Sequence, residues 1–387
     1  MPRYETPRPV LLVALAFALA ACTPAPRATL PAMAEPESTA AARPWVIAHR
    51  GASAWRPEHT LAAYALAMEQ GADAIEPDLV STGDGVLVAR HENELSGTTD
   101  VAQRPEFAAR ETRKQVDGEW VKGWFVEDFS LAELKTLRAR QRLPQLRSRE
   151  WDGQFDVPTF DEIVELAAAH AQATGRVVGL VPEIKHPSHF AALGLAMEPT
   201  LLAALANHPY TRRAPVLIQS FEIGNLRALR QQLPRHGNIR LLQLLGNPAQ
   251  PPHDTVLAGA PLTYAQMATP DGLREVARYA DGIGPAFAML QIQATDQGRY
   301  RSALVDDAHA AGLDVVAYTF RPEHVFLEPR FRSADVAAAR DEDGAARQLR
   351  AYLSTGLDGV FADDPALARR VVDQAGPRPG LRAALDR

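Results

Sequence analysis

Residues 46–95 read VIAHRGASAWRPEHTLAAYALAMEQGADAIEPDLVSTGDGVLVARHENEL, and the order of patterns within them decides the fold. An apolar run at 45–49 is followed by a helix-like segment at 58–70 and by a second apolar run at 74–79. A strand, a helix and a second strand in this order predict two parallel strands joined by a crossover helix.

A third apolar run, 86–90, lies too close to the second for another parallel crossover. The turn residues Gly83-Asp84-Gly85 stand between the two runs, so we predict a hairpin there. A turn centred on Asp84 places His91 opposite Asp78.

Strand-like and helix-like segments alternate through the rest of the chain. The further strands are predicted at 177–185, 215–221, 239–245, 281–285, 314–320 and 358–362, and the further helices at 130–140, 159–171, 192–206, 222–233, 271–280, 300–311 and 341–355. With the hairpin arm set aside, eight strands of the βα type remain, which predicts an α/β TIM barrel. A doubly wound open sheet is the alternative, but no GxGxxG pattern follows the first strand.

The ends of the chain differ in composition from its middle. Residues 1–21 contain Arg3, Arg8 and a short apolar run, as in a signal peptide. Cys22 follows Leu-Ala-Ala, which resembles a bacterial lipobox and predicts a lipid anchor. Residues 22–44 form a predicted linker, 45–373 the barrel domain with an insertion at about 92–158 that we expect to cover the site, and 374–387 a tail.

Charge and cysteine content exclude some classes of protein. The 387-residue chain has a net charge of −6, which argues against a nucleic-acid partner. Its single cysteine leaves none for a disulfide in the barrel domain. The residue after the cysteine is Thr rather than Asp. By resemblance to known sorting patterns, in a cell with two membranes this favours an exported protein that is lipid-anchored in the periplasm at the outer membrane.

Ionisable residues follow the predicted barrel strands, where TIM barrels place their active sites. His49 and Arg50 end the first strand, and Glu76 and Asp78 share one face of the second. The strand at 177–185 carries Glu183 and Lys185, and the hairpin returns His91 to the same end.

This group of side chains has the chemistry of phosphodiester cleavage. Buried carboxylates are costly unless a cation neutralises them, and three oxygen ligands without cysteine indicate Ca²⁺ or Mg²⁺ rather than zinc. Two histidines suit general acid–base catalysis, and an arginine with a lysine suits an anionic substrate.

The motifs AHRGAS, RPEHT, GADAIEPD and ARH resemble the signature of the glycerophosphodiester phosphodiesterase family. PEIKHP, LIQSFE, YADGIGP, YTFR and GVFADDP extend the resemblance over residues 45–370, and the insertion is similar to that of the periplasmic bacterial branch, which uses Ca²⁺. The resemblance implies a TIM barrel that hydrolyses glycerophosphodiesters to sn-glycerol 3-phosphate and an alcohol. It assigns Glu76, Asp78 and Glu183 as metal ligands, His49 and His91 as the acid–base pair, and Arg50 and Lys185 as phosphate contacts.

Two positions depart from the family pattern, and the roles of two others stay open. His59 replaces the usual asparagine of the loop, and we expect it to orient that loop less well. Glu92 follows His91 where aspartate is usual. Tyr318 and Phe361 line the glycerol pocket or belong to the core. The cyclic-phosphate route and direct attack by water also stay open.

Two other functions fit the same barrel. A phospholipase D–like enzyme acting on lipids is disfavoured because such enzymes carry disulfides. A non-catalytic binding lipoprotein is disfavoured because all seven site residues are present.

Overall fold

The computed structural model describes residues 43–333 and 340–376. The predicted signal peptide, Cys22, nearly all of the linker and most of the tail lie outside these residues. Among the helices of the described part, none is long and apolar enough to cross a membrane.

Strands run through the whole described chain. They are β1 (Trp45–His49), β2 (Ala74–Glu76), β3 (Asp78–Ser81), β4 (Leu87–Ala89), β5 (Thr112–Val116), β6 (Glu119–Gly123), β7 (Gly179–Leu180), β8 (Glu183–Ile184), β9 (Val216–Ser220), β10 (Ile239–Leu245), β11 (Gly282–Pro285), β12 (Gln293–Ala294), β13 (Tyr300–Arg301), β14 (Asp314–Phe320) and β15 (Gly359–Ala362).

Most of the helices lie between barrel strands. They are α1 (Leu61–Glu69), α2 (Leu131–Leu134), α3 (Phe160–Thr174), α4 (Pro187–Ala192), α5 (Glu198–Asn207), α6 (Ile223–Gln232), α7 (His253–Leu257), α8 (Tyr264–Met267), α9 (Pro270–Val276), α10 (Ala303–Ala310), α11 (Glu342–Leu353) and α12 (Pro365–Ala375).

The parallel strands close into a barrel. Its order is β1, β2, β7, β9, β10, β11, β14 and β15, and β15 pairs with β1. β3 and β8 continue β2 and β7 toward the carboxyl end and pair in parallel with each other. Within the described residues this is the eight-stranded TIM barrel predicted from the sequence, and the open-sheet alternative is wrong.

Prolines interrupt two of the predicted strands. The strand expected at 74–79 breaks at Pro77, and the one expected at 177–185 is reduced to two short pieces on either side of Pro182. Proline has no N–H for the ladder, but its carbonyl still accepts. Glu183 donates its backbone N–H to Pro77 at 2.9 Å, so the chain stays in the barrel across the break.

The hairpin has a register one residue away from the prediction. β3 and β4 pair Leu79 with Ala89, and the N–H of Arg90 donates to the carbonyl of Asp78 at 2.9 Å. Arg90, not His91, therefore stands opposite Asp78, because the turn is symmetric about Asp84. His91 follows one position later and still reaches the mouth of the barrel.

Two predicted helices are wrong in extent. The helix expected at 130–140 ends at Leu134. Farther along, the N–H of Ala139 donates to the carbonyl of Phe155 in the insertion instead of to a helical carbonyl. The helix expected at 192–206 begins only at Glu198, as α5, and α4, which ends at Ala192, was not predicted. Each of the two has a proline in its first turn. The helices α7, α8 and α12 were not predicted.

Side-chain alternation places the site above an apolar barrel interior. The interior is filled by eight side chains: Ile47, Ala74, Val181, Leu217, Leu242, Leu244, Val316 and Phe361. Val46 and Ala48 belong instead to the core between the sheet and the helices. Because strand side chains alternate, His49 points the same way as Ile47 and lies above the interior layer.

The loop after β1 requires a glycine. Gly51 has a φ of +83°, and a Cβ there would stand 2.7 Å from a backbone atom of Ala63 in helix α1. The chain can therefore turn tightly beside the helix and bring Arg50 to the mouth.

Candidate active site

The carboxyl ends of the strands surround a cavity of about 260 Å³. It is lined by His49, Arg50, Glu76, His91, Glu183, Gln219, Phe221, Leu244, Ala286, Phe287, Ala288, Tyr318, Thr319, Arg321 and Phe361. The strand register pairs His49 with Glu76 and Asp78 with Glu183. Asp78 and Lys185 do not line this cavity, but both are buried next to residues that do.

Three carboxylates form a buried cluster at this level. Oxygens of Glu76, Asp78 and Glu183 all lie within 4.8 Å of one another. Burial raises the pKa of Glu76 well above its usual range, and the two neighbouring carboxylates raise it further. Burial also raises the pKa of Glu183 to about 8. Ionising all three together is therefore unfavourable without a cation.

The cluster fits a hard divalent cation. Oδ1 of Asp78 is buried and makes no hydrogen bond within the described chain. Burial opposes ionisation of Asp78, but Lys185 and His59 hold its pKa well below the usual range. Carboxylate oxygens without sulfur ligands are the donors that Ca²⁺ and Mg²⁺ prefer. In residues 43–333 and 340–376 this is the one group of three such ligands.

His49 is held by a carboxylate that the sequence prediction did not include. Its Nδ1 lies 2.6 Å from Oδ1 of Asp363, which follows β15. Although burial opposes its ionisation, Arg147 and His49 hold the pKa of Asp363 below its usual range, so the carboxylate accepts the Nδ1 proton. Burial, with Arg50 second, lowers the pKa of His49 to about 4. The ring is therefore neutral near pH 7, with Nε2 as its basic atom.

His91 has a corresponding partner in the chain. Its Nδ1 lies 2.5 Å from Oε1 of Glu92, so Glu92 orients the ring directly. Burial, Arg50 and Lys185 together lower the pKa of His91 to about 3. Although position 92 has glutamate where the family usually has aspartate, a carboxylate still contacts the ring of His91.

The two cations meet different carboxylates. The backbone N–H of Arg50 donates to Oε2 of Glu76 at 2.8 Å, and its guanidinium Nη1 donates to Glu58 at 3.1 Å. Nζ of Lys185 lies 2.8 Å from Oε1 of Glu183. Nε of Arg50 also lies 3.5 Å from Oδ2 of Asp78, so each cation stands beside the carboxylate cluster.

His59 orients a metal-ligand candidate. It is fully buried, with Nε2 2.8 Å from Oδ2 of Asp78 and Nδ1 2.7 Å from the hydroxyl of Tyr64. Its φ of 53° lies in the left-handed region that asparagine tolerates well. His59 thus bonds two partners, and the expectation that it orients the loop less well than asparagine stays a prediction.

Several site residues escaped the sequence prediction. Gln219 of β9 donates to Oε1 of Glu76 at 3.1 Å. Strand alternation could have found it, since it points inward like Leu217. Arg142 and Arg147 come from the insertion, which has no periodic pattern that could indicate them. Tyr318 and Phe361, left open between pocket and core, both line the cavity.

A TIM barrel with a buried carboxylate cluster, two oriented histidines and two cations at its mouth defines a metal-binding barrel enzyme. The chain belongs to the glycerophosphoryl diester phosphodiesterase family, which it matches over residues 49–367. A glycerophosphodiester phosphodiesterase of Arabidopsis thaliana is 32% identical over 384 residues, which cover 95% of this chain and 97% of that protein. One of Haemophilus influenzae is 30% identical, covering 83% of this chain and 87% of its own.

Solved structures share the fold at lower identity. A putative glycerophosphoryl diester phosphodiesterase of Silicibacter pomeroyi is 23% identical, with a TM-score of 0.57 over 87% of this chain and 95% of its own. A phosphodiesterase of Oleispira antarctica, solved with the product sn-glycerol-3-phosphate, is 24% identical, with a TM-score of 0.55 over 86% and 97%. These two structures support the barrel assignment.

Proposed function

We propose that this protein hydrolyses glycerophosphodiesters to sn-glycerol 3-phosphate and an alcohol with the aid of a divalent cation. The observation that carries the proposal is the placement of two carboxylate-bound histidines beside the cluster of Glu76, Asp78 and Glu183. Family membership and the activity named for the relatives support it.

The metal site and the cations prepare the phosphate group. Glu76, Asp78 and Glu183 would hold a divalent cation, whose chemistry would be to neutralise the carboxylates and to polarise a phosphoryl oxygen. Arg50 and Lys185, which lie beside these carboxylates, bind the anionic phosphate. Gln219 and the backbone N–H of Arg50 hold the two oxygens of Glu76 in place.

The two histidines divide the proton transfers. We assign His49 as the base, because its neutral ring can take the proton of the attacking hydroxyl at Nε2. A bond forms between phosphorus and that oxygen, and the bond from phosphorus to the alcohol oxygen breaks. His91 gives a proton to the leaving oxygen, and bound phosphate favours its protonated form because it offsets the charges of Arg50 and Lys185. Direct attack by water gives the two products in one step. Attack by the glycerol 2-hydroxyl instead gives a cyclic phosphate, which water must open in a second step with the proton transfers reversed.

We further propose that the cation is Ca²⁺ and that the chain belongs to the periplasmic bacterial branch of the family. The ligands are carboxylate oxygens, which Ca²⁺ accepts in flexible arrangements. The long insertion and the motifs PEIKHP and YADGIGP support the branch. Broad tolerance for the alcohol goes with that branch.

A coupled assay for glycerol 3-phosphate tests the proposed function. Purified protein is expected to release it from glycerophosphocholine, glycerophosphoethanolamine and glycerophosphoglycerol when Ca²⁺ is present. Release of phosphatidic acid from intact phospholipid, with no reaction on these diesters, would favour a phospholipase instead. Failure on every diester with Ca²⁺ and with Mg²⁺ would refute the proposal.

The amino-terminal region supports a proposal about location. Cys22 follows Leu19-Ala20-Ala21, so residues 1–21 serve as a signal peptide and the cysteine carries a lipid anchor at the periplasmic face of the outer membrane. Residues 23–44 then act as a tether to the barrel domain. In a Gram-negative host, Cys22→Ala is expected to move the protein from the membrane fraction to the soluble fraction. An unchanged membrane fraction would contradict the anchor.

A further inference from the structure

We propose that the insertion is part of the active site, because two of its arginines hold the carboxylates that orient the two histidines. Arg147 acts through Asp363 on His49, and Arg142 acts through Glu92 on His91. The inference rests on the proposed function, since it assigns positioning residues to the same acid–base pair.

Arg147 is buried and ties three separate segments together. Its Nη2 lies 2.5 Å from Oδ2 of Asp363, and its Nε lies 2.6 Å from Oε1 of Glu323. Its Nη1 donates to the carbonyl of Ser53 at 3.0 Å. Arg147 thus holds Asp363 by one oxygen while the other stays 2.6 Å from Nδ1 of His49.

Arg142 forms two paired contacts at the mouth. Its Nε and Nη2 each lie 2.7 Å from an oxygen of Glu58, and its Nη1 and Nη2 lie 2.9 Å and 2.5 Å from the oxygens of Glu92. Glu92 in turn bonds His91, and Glu58 bonds the guanidinium of Arg50. A single insertion residue therefore fixes a histidine and a phosphate-binding arginine.

The contacts around His49 and around His91 follow the same pattern. Each histidine gives Nδ1 to a carboxylate that an insertion arginine also contacts, so Nε2 is the nitrogen left for proton transfer. Asp363 has one further cation beside it, since Nε of Arg321 lies 3.2 Å from its Oδ2. A carboxylate fixed in this way sets both the ring orientation and the tautomer. The planar guanidinium can grip two carboxylates at once, which a lysine ammonium does not reproduce.

Single substitutions test each arm of the proposal. Arg147→Gln is expected to lower kcat on glycerophosphocholine by about 10- to 100-fold, with KM changed by less than about threefold. Arg147→Lys, which keeps the charge without the fork, is expected to fall between the wild type and Arg147→Gln. Arg138→Gln is the matched control, since Arg138 lies in the same insertion and donates to the carbonyls of Lys135 and Leu137.

A substrate with an activated leaving group separates positioning from a structural role. A p-nitrophenyl diester of glycerol 3-phosphate needs little help from an acid. The Arg142→Gln loss is therefore expected to shrink on this substrate, while the Arg147→Gln loss is expected to stay the same on both. A purely structural role of Arg142 predicts equal losses on both substrates. For Arg147, equal losses agree with either role, so its positioning role is tested by the combination with Asp363→Asn. Rates are taken per folded protein, from circular dichroism at the assay temperature, and Arg147→Lys carries the test if Arg147→Gln does not fold.

Non-additivity tests the path through Asp363. When Asp363→Asn is already present, adding Arg147→Gln is expected to lower kcat by less than about threefold further. The carboxylate that Arg147 positions is already lost in that variant. An independent, multiplicative loss would contradict the proposal. A wild-type enzyme that hydrolyses neither substrate would refute the proposed function, whereas an active wild type with unaffected arginine variants would refute this inference alone.

Discussion

His49→Ala and His91→Ala are each expected to lower kcat for release of glycerol 3-phosphate from glycerophosphocholine by about 10³- to 10⁴-fold. A positioned acid or base contributes up to about 10⁴-fold, and the two groups act at different oxygens of one phosphorus. Because the loss falls on the proton-transfer steps, KM is expected to change less than kcat. The measurement is steady-state kinetics at saturating cation.

The leaving group distinguishes the two histidines. On the p-nitrophenyl diester, His91→Ala is expected to recover most of its activity, because the departing oxygen no longer needs a proton. His49→Ala is expected to stay inactive on both substrates, because the attacking hydroxyl still has to lose one. The reverse pattern would exchange the assigned roles.

His309→Ala provides a matched control. His309 also bonds a carboxylate, with Nε2 2.9 Å from Oδ2 of Asp358, but this pair lies at the opposite, amino-terminal end of the last barrel strand. Its removal is expected to leave kcat near the wild-type value. Near wild-type activity in His49→Ala or His91→Ala would remove that residue from the chemistry.

The sequence predicted the barrel well because its strands are short and apolar. Strand bounds at 45–49, 239–245 and 314–320 match the structure fully. The breaks at Pro77 and Pro182 were missed, because the strands were predicted from apolar runs, and these runs continue across both prolines. Helix α12 was missed although Pro365 marks its first turn.

The site residues that the sequence indicated are those at the ends of predicted strands. The parallel register brings such positions to one level whatever the intervening loops do. Arg142 and Arg147 could not be found in this way, since their place depends on how the irregular insertion folds back. The role of Asp363 also depended on this, because a carboxylate after a strand is informative only once its partners are known.

Removal of the divalent cation is expected to lower activity by about 100-fold or more, and Ca²⁺ is expected to restore it. A metal that polarises a phosphoryl oxygen contributes several kcal/mol, and each 1.36 kcal/mol corresponds to about tenfold in rate. Mg²⁺ is expected to restore less, because it requires a stricter octahedral arrangement than Ca²⁺. The assay compares chelated enzyme with enzyme to which each metal has been returned.

Metal binding has a readout that does not depend on activity. Ca²⁺ at about 100 times its Kd is expected to stabilise the fold by about 2.7 kcal/mol, seen as a higher Tm. Glu183→Gln is expected to abolish this shift, and His59→Ala to weaken affinity by about 10- to 100-fold, because it removes the partner of Asp78. Glu222→Gln is the control, since Glu222 is a buried carboxylate bonded to Ser188 outside the cluster.

The pH dependence of binding follows from the carboxylate cluster. Without metal, burial raises the pKa of Glu183 to about 8, so the group is mostly protonated at pH 7. Burial also raises the pKa of Glu76 well above its usual range. Binding must displace the protons that these carboxylates hold, so the apparent affinity for Ca²⁺ is expected to fall below pH 8 by up to about tenfold per pH unit for each proton displaced. Calorimetry in buffers of different ionisation enthalpy should show protons released at pH 7. Full activity after exhaustive chelation would remove the metal from the mechanism, and binding without proton release would show that the cluster is already ionised.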